Sequence, residues 1–380
     1  MRWMEKRSSR AFSRAEHIAA STTTERLVND TNDIRYAPDA LRSFAKDLYA
    51  AAGLEDAKAE AVARYLVEAD LMGHTTHGLA LAGWYLQSIA DGVMTREGSP
   101  EIISDRGPAV AWAGRRLPGA WLTSEALKLA CDRAETYGTA TITIANSHHI
   151  GCLASYLSIA TDRGYMVSIA SSSPSGAQVA PFGGRKGVYT PNPVAHGIPT
   201  SGDPILIDIS ASITTVNMAQ RLIREGRQYE HEWLMDKDGN PSRDPKVIES
   251  GGTLLPTGGL DHGQKGYGMA LHVEAFTQAL SGYGRADAPK GTNAAVTVQV
   301  FDPAAFGGRE AFLRQTGWLV DACHDNPPRP GVERVRLPGE NGLARKRSAL
   351  CDGVRLFPGI IDGLRDHAER LGVAMPPVLS

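Results

Sequence analysis

The chain has 380 residues, 42% of them hydrophobic and 22% charged, which is enough for two domains and a large core. Its 40 basic and 42 acidic residues leave a net charge of -2, so nothing in the charge balance favours nucleic acid or an anionic membrane as a partner. Four cysteines without a C-x-x-C pair argue against a disulfide framework or zinc knuckle and for a reducing, cytoplasmic setting, and no apolar run approaches the roughly 18 residues of a membrane span.

Residues 1–35 are basic and Ser/Thr-rich, lack the apolar centre of a secretory signal, and carry Glu5, Glu16 and Glu25, which a transit peptide disfavours. A disordered extension is expected there. Asp39 is read as the cap of a helix with Leu41, Phe44, Leu48 and Ala52 on one face, stopped at Gly53. A second helix is expected over Glu55 to Leu71 and a third over Leu79 to Ala90, with Gly73-His74-Thr75-Thr76-His77-Gly78 between them. A strand pair follows (Glu101 to Ser104, Ala109 to Ala113), then an amphipathic helix over Trp121 to Tyr137.

From Thr139 the texture becomes β-rich. The β-branched run Thr139 to Ile144 reads as a buried strand, and it feeds the turn Ala145-Asn146-Ser147-His148-His149-Ile150-Gly151 before helical spacing resumes over Ala154 to Ala160. Further strands are expected at Met166 to Ser171 and Pro204 to Ile209, a helix at Ala211 to Glu225, and a hairpin turn at Asp236-Lys237-Asp238-Gly239. Tyr267 to Leu280 reads as an apolar helix, Asn293 to Val300 as an alternating strand, and Glu310 to His324 and Gly359 to Leu371 as helices around a Pro-rich stretch. The pattern is α+β: a β-rich middle bracketed by helical ends that can pack together.

The chemistry lies in two histidine clusters. His74 and His77 stand one helical turn apart; they suit a metal pair or an acid/base group, although H-x-x-H without an intervening Glu lacks the base of a zincin. His148 and His149 are adjacent, so an ordered turn points only one of them into a site. A neutral imidazole there can give and take the proton that carbonyl reduction or alcohol oxidation requires. Either histidine serves equally well as a turn or core residue. Ser171 to Gly176 follows a strand and can offer hydroxyls and N–H groups to phosphate, and Lys265 opens a helix within a Gly-rich stretch. No G-x-G-x-x-G follows a strand and no G-x-x-x-x-G-K-[ST] occurs, so a dinucleotide would not bind through the Rossmann turn.

Taken together these motifs resemble the malate/L-lactate dehydrogenase family of non-Rossmann type, which also contains ureidoglycolate dehydrogenase, diketogulonate reductase and piperideine-carboxylate reductase. The family's A-D-x-x-G-x-x-S-H-G is similar to Ala69–Gly78, its N-S-x-H-[FY]-G to Asn146–Gly151, and its A-P-x-G-G to Ala180–Gly184. The T-N-P turn is met at Thr190–Pro193, D-x-[AS]-x-S at Asp208–Ser212, K-G-Y-G at Lys265–Gly268 and L-P-G-E at Leu337–Glu340. The resemblance runs from about Ala40 to Gly372. It implies reversible hydride transfer between NAD or NADP and a 2-oxo acid/2-hydroxy acid pair in a homodimer. It implies a mostly antiparallel or mixed sheet binding the cofactor (139–291) and a helical substrate and dimerisation domain (36–138 with 292–380).

By the same resemblance His77 or His149 is the acid, with Thr76 beside His77, and no metal is used. Tyr85, Leu81 and Asn192 would meet the substrate. Gly151, Cys152, Leu153, Ser173, Ile207, Asp208, Ile209, Ser210, Lys265, Asn293, Gly339 and Glu340 would line the cofactor.

Three positions depart from the family. Thr76 replaces the serine and keeps the hydroxyl. The turn before Asn192 has become Thr-Pro-Asn-Pro. Leu81 stands where the family places the arginine that pairs with the substrate carboxylate, so Arg185, Lys186 or a bulkier, more apolar substrate has to compensate. The doubled His148-His149 and apolar Leu81 resemble the hydroxycarboxylate dehydrogenase branch. Two competing readings are an inactive small-molecule-binding paralogue, suggested by Leu81, and a metal hydrolase built on the four histidines.

Overall fold

The computed structural model describes residues 34–379, so the extension expected at the N-terminus lies almost wholly outside the described residues. The first helix, α1 (Pro38–Ala51), buries the stripe Leu41, Phe44 and Leu48 as its spacing requires. Asp39 is not its cap. Ala37 holds that position with Pro38 next, because proline's fixed φ suits the first helical residue, and Asp39 sits one residue inside, paired with Arg42 at 2.9 Å. Helix α2 (Asp56–Leu71) packs against α1 and is buried on most of its circumference, with Ala59, Val62, Leu66 and Ala69 inside. A 3₁₀ turn at Leu79–Leu81 leads into α3 (Ala82–Ala90).

Seven strands form one mixed sheet. In chain order they are β1 (Glu101–Asp105), β2 (Ala109–Ala113), β3 (Thr139–Ser147), β4 (Met166–Ser172), β5 (Val194–Ile198), β6 (Ile205–Ile209) and, far downstream, Ala294–Phe301. That last strand, grouped above with the C-terminal helices, runs in the middle of the sheet between β3 and β4. All pairs are antiparallel except β2 with β3. Residues 294–301 alternate as read, and both faces of the strand are covered. Helix α4 (Gly119–Tyr137) lies on one side, and on the other the buried Thr297 donates its hydroxyl to Phe276 O at 2.6 Å.

Short helix α5 (Ser158–Thr161) follows a 3₁₀ turn at Leu153–Tyr156, so the helical spacing there is broken into two pieces. The helix expected from Ala211 starts only at Val216 (α6, Val216–Glu225), where Thr215 Oγ1 accepts the Met218 N–H at 3.2 Å. The hairpin turn at residues 236–239 joins β7 (Leu234–Met235) to β8 (Pro241–Ser242), and β9 (Thr253–Leu254) completes a three-stranded sheet. Helix α7 (Gly259–His262) precedes α8 (Gln264–Glu274), which continues as a π-helical segment over Ala275–Ala279. The central strand is β10; α9 (Arg309–His324), α10 (Glu340–Asp352) and α11 (Arg365–Leu371) close the chain.

One large apolar core joins α1 to α4, the inner strands and residues Val354, Leu364 and Ala368, and a smaller cluster holds Val179, Tyr189, Ala219, Leu234 and Ala270. The two ends of the chain meet directly: Tyr36 and Val354 exchange backbone hydrogen bonds at 3.0 and 2.8 Å. Among the described residues no helix is long and apolar enough to cross a membrane.

Candidate active site

Strand register gathers the candidate residues at one end of the large sheet. Ser147 at the close of β3 pairs with Ala294 at the start of β10, Ala295 pairs with Ser172 at the close of β4, and Val194 at the start of β5 pairs with Ile209 at the close of β6. His149, Asn293, Ser173, Asn192 and Asp208 therefore all flank the same edge, although they are up to 144 positions apart in sequence.

The end of β3 is bent on purpose by its sequence. Between the pairs Ala294–Ser147 and Val296–Ile144, β10 has one residue and β3 has two, a bulge in which Asn146 takes φ +50°, a conformation Asn tolerates better than most residues. The bulge turns the two histidines apart. His148 is sealed in, edge-on to Tyr85 with centroids 5.4 Å apart; neither ring nitrogen has a protein partner and burial pushes its pKa down to about 4. His149 faces outward. A side chain at Gly119 would strike the carbonyls of His148 and His149, so this glycine lets α4 press against the turn and hold it.

The Gly151 N–H donates to His149 Nδ1 at 3.2 Å, and Tyr85 Oη lies 2.7 Å from the same atom. A backbone N–H can only donate, so Nδ1 is the acceptor and the neutral ring carries its proton on Nε2. Burial, with His77 and His148 nearby, lowers the His149 pKa to about 3. Burial raises that of Tyr85, which therefore stays a donor. Trp84, 41% exposed, lies against His149 at 5.2 Å between centroids.

His77 arrives from the loop between α2 and α3. Its ring lies 6.3 Å from that of His149, with the planes inclined by 27°. Thr76 Oγ1 is 2.8 Å from His77 Nδ1. Burial lowers the His77 pKa; the Asp208 carboxylate opposes this, while His74 and Arg221 add to it.

The loop is pinned from below by Asp70, whose Oδ2 accepts the Leu79 N–H at 2.7 Å, and the carboxylate fills the space that a Gly78 side chain would need. Its Oδ1 is buried without a partner, and burial raises the pKa from 3.8 to about 7. The folded chain thus holds a proton that the unfolded chain releases near pH 4. Below that both forms are protonated; as pH rises toward 7 stability is lost, by about 4 kcal/mol at most. The buried histidines slope the other way, so the comparison is with Asp70→Asn, which keeps an acceptor for Leu79. We expect the variant's advantage in urea unfolding to grow from pH 5 to pH 8; parallel wild-type and variant curves would refute this.

The remaining expected residues are placed as follows. Asp208 Oδ2 accepts the Ala154 N–H at 2.9 Å and the Cys152 thiol at 3.5 Å, at the turn formed by Gly151, Cys152 and Leu153. Ser173 donates to Asn293 O at 2.9 Å, and the buried Asn293 amide has neither Oδ1 nor Nδ2 bonded to protein. Ile207 and Ile209 lie on β6, Ser210 Oγ donates to Ser212 O, and Lys265 is exposed at the start of α8. Gly339, at φ +94°, abuts Leu206 so closely that no side chain fits, while the Glu340 carboxylate is already engaged by His324 and Arg334.

Asn192 is fully buried in a turn at φ +47°, where its amide bonds Glu274 (2.8 Å), Ala270 O and Thr190. Arg185 packs over Gly239 beside Lys237, on the β7–β8 hairpin, and Lys186 is exposed. Leu81 lies in the main core. The four histidines do not form a ligand set. Among the described residues the group with metal-like spacing is His74, Cys152 and Asp208, with ligand atoms within 4.8 Å of one another, but burial keeps the Cys152 thiol protonated and its S–H on Asp208.

Residues 36–365 match the profile of the malate/L-lactate dehydrogenase family, and the chain belongs to that family; it is an oxidoreductase of the 2-hydroxy acid class. An L-lactate dehydrogenase of Cupriavidus necator is 31% identical over 345 residues, covering 88% of this chain and 97% of that protein. The malate dehydrogenase structure from Pyrococcus horikoshii superposes with a TM-score of 0.81 at 27% identity, over 90% of this chain and 97% of the other. One from Entamoeba histolytica shares the fold, with a TM-score of 0.85 at 22% identity over 90% and 99%. The expected mixed-sheet α+β architecture is the one these structures have.

Proposed function

We propose that the chain reduces a 2-oxo acid to the 2-hydroxy acid, and reverses that reaction, with NADH or NADPH as hydride donor, in the cytoplasm. The observation that carries this reading is the pair of imidazoles, His77 and His149, facing each other at the end of the large sheet where Ser173, Asp208 and Asn293 also gather. The residues there fit a nicotinamide dinucleotide: the unpaired buried amide of Asn293 and the hydroxyl of Ser173 offer hydrogen bonds. Gly339 brings bare backbone to the edge of β6, and Lys265 supplies a charge. When bound, the nicotinamide supplies or accepts the hydride at the substrate carbon.

His77 gives its proton to the carbonyl oxygen during reduction and takes it back during oxidation. The acid is assigned to His77 and not to His149, because burial and the two neighbouring imidazoles hold His149 neutral, whereas the Asp208 carboxylate favours the charged form of His77. The neutral Nε2–H of His149 instead donates a hydrogen bond to the oxygen as charge develops there. Thr76 orients His77, and Tyr85 with the Gly151 N–H orients His149. The Trp84 ring forms the apolar wall that keeps water from the reacting carbon.

A homodimer is part of this proposal. The 16-residue helix α9 buries none of its residues within this chain, and Trp318 (68% exposed), Leu319 and the neighbouring Phe306 present apolar surface. A second copy covering that face removes it from water.

The test is spectrophotometric. NADH or NADPH oxidation at 340 nm is expected to depend on an added 2-oxo acid. No turnover across a broad panel of 2-oxo and imino acids with either cofactor would reject the reading.

A further inference from the structure

A 2-oxo acid brings a carboxylate one bond from the carbonyl that His77 protonates. Burying an anion in a partly apolar cleft requires a cation there. Leu81 supplies none, and Arg185 and Lys186 lie elsewhere. Arg116 acts on His148, not His77, and its guanidinium donates to Lys290 O at 3.0 Å.

Helix α6 supplies what is missing. Asn217 and Arg221 stand one turn apart on the same face and both reach across to the histidine loop. Asn217 Nδ2 donates to Thr76 O at 3.4 Å. The Arg221 guanidinium donates to Thr75 Oγ1 and Thr75 O, each at 3.2 Å, and its carbon lies over the Phe357 ring, 3.9 Å from the centroid. Its charge acts on His77.

Its electrostatic state is incomplete. Burial weakens its hold on its proton, Nε–H is buried without an acceptor, and no carboxylate pairs with it among the described residues. Glu225, one turn further along α6, acts on the Arg221 charge without bonding to it, and is itself paired with Arg227 at 2.9 Å. A partly desolvated cation that has hydrogen bonds but no counter-ion is stabilised by an anionic ligand more than a solvated lysine would be. Five N–H donors serve two acceptor atoms on Thr75, which leaves donors for a ligand.

Building on the proposed 2-oxo acid chemistry, we infer that Arg221 receives the substrate's C1 carboxylate, in place of the cation that position 81 does not provide. The carboxylate meets the guanidinium N–H groups that Thr75 leaves free, with its carbonyl turned toward the two imidazoles. Phe357 shields the pair from solvent and fixes the plane of the guanidinium.

The experiment compares a 2-oxo monocarboxylic acid with its methyl ester, as substrates for wild type, Arg221→Gln, Arg221→Lys and Thr75→Val. Arg221→Gln is expected to lower kcat/KM for the acid by about 10²-fold, mostly through KM, and to leave the ester within about threefold. Arg221→Lys should recover part of the loss on the acid, since it restores charge without the planar fork. Thr75→Val removes a brace and keeps the cation, so its acid-to-ester ratio should stay at the wild-type value. If Arg221→Gln lowers acid and ester alike, or if Thr75→Val reproduces its selectivity, Arg221 only braces the loop and the inference falls. Losses confined to dicarboxylic substrates would place the guanidinium on a distal carboxylate and also overturn it. A wild type that turns over no 2-oxo acid removes the parent reading, and the inference with it; cofactor binding followed by fluorescence separates that case from a misfolded variant.

Discussion

His77→Ala is expected to lower kcat for 2-oxo acid reduction by about 10²- to 10⁴-fold, the scale of a lost general acid, with cofactor affinity held within a few fold. The reasoning rests on which imidazole can hold a proton. Both rings are pushed toward the neutral form by burial, but only His77 has a carboxylate, Asp208, working against that push. The sign of the pH dependence follows. Reduction needs the imidazolium, so its rate falls as pH rises above the His77 pKa, which lies below 6.5 in the free protein. Oxidation needs the free base and rises with pH over the same range. In His77→Ala both limbs should flatten. A variant that keeps its turnover, or keeps a wild-type pH profile at reduced rate, would assign the proton to another group.

Much of this site could be read from the residues alone because the signals were local. The β-branched run into His148-His149 marked β3 and the turn after it, and the spacing around Thr76-His77 marked the second loop. What local signals cannot carry is the choice between neighbours. The bulge at Asn146 decides that His149 faces out and His148 in, and it arises from pairing with a strand 148 residues downstream. Arg221 and Asn217 were invisible for a related reason: on α6 they look like polar surface residues, and their partners, Thr75 and Thr76, are more than 140 positions upstream. Asp70 showed only as a motif letter; its weight comes from burial beneath Gly78.

The fold shows the same division. Strand β5 is five residues, VAHGI, wedged near prolines, too short and too mixed to declare a period. Helix α10 carries no buried residue, so no apolar stripe announces it. The middle strand β10 was legible as a strand but not as the centre of the sheet, since topology depends on which edges remain unpaired once β3 and β4 have formed.

His149 should answer to a different test, because it never needs to carry charge. His149→Ala is expected to lower kcat by about 10²- to 10³-fold, the cost of one donor to a developing oxyanion, with the pH dependence of the residual activity unchanged. Tyr85→Phe deletes the 2.7 Å contact to Nδ1 but leaves the Gly151 N–H at 3.2 Å, so the tautomer survives while the ring loses its tighter tether. A loss of roughly tenfold is expected from that change. Tyr85 is buried against His149, and if it acts through that ring the two losses should not add: in the His149→Ala background, Tyr85→Phe should cost almost nothing. Full additivity would mean that the phenol meets the substrate itself. A pH profile that shifts in His149→Ala would mean that the second imidazole, held neutral by its surroundings, exchanges protons after all.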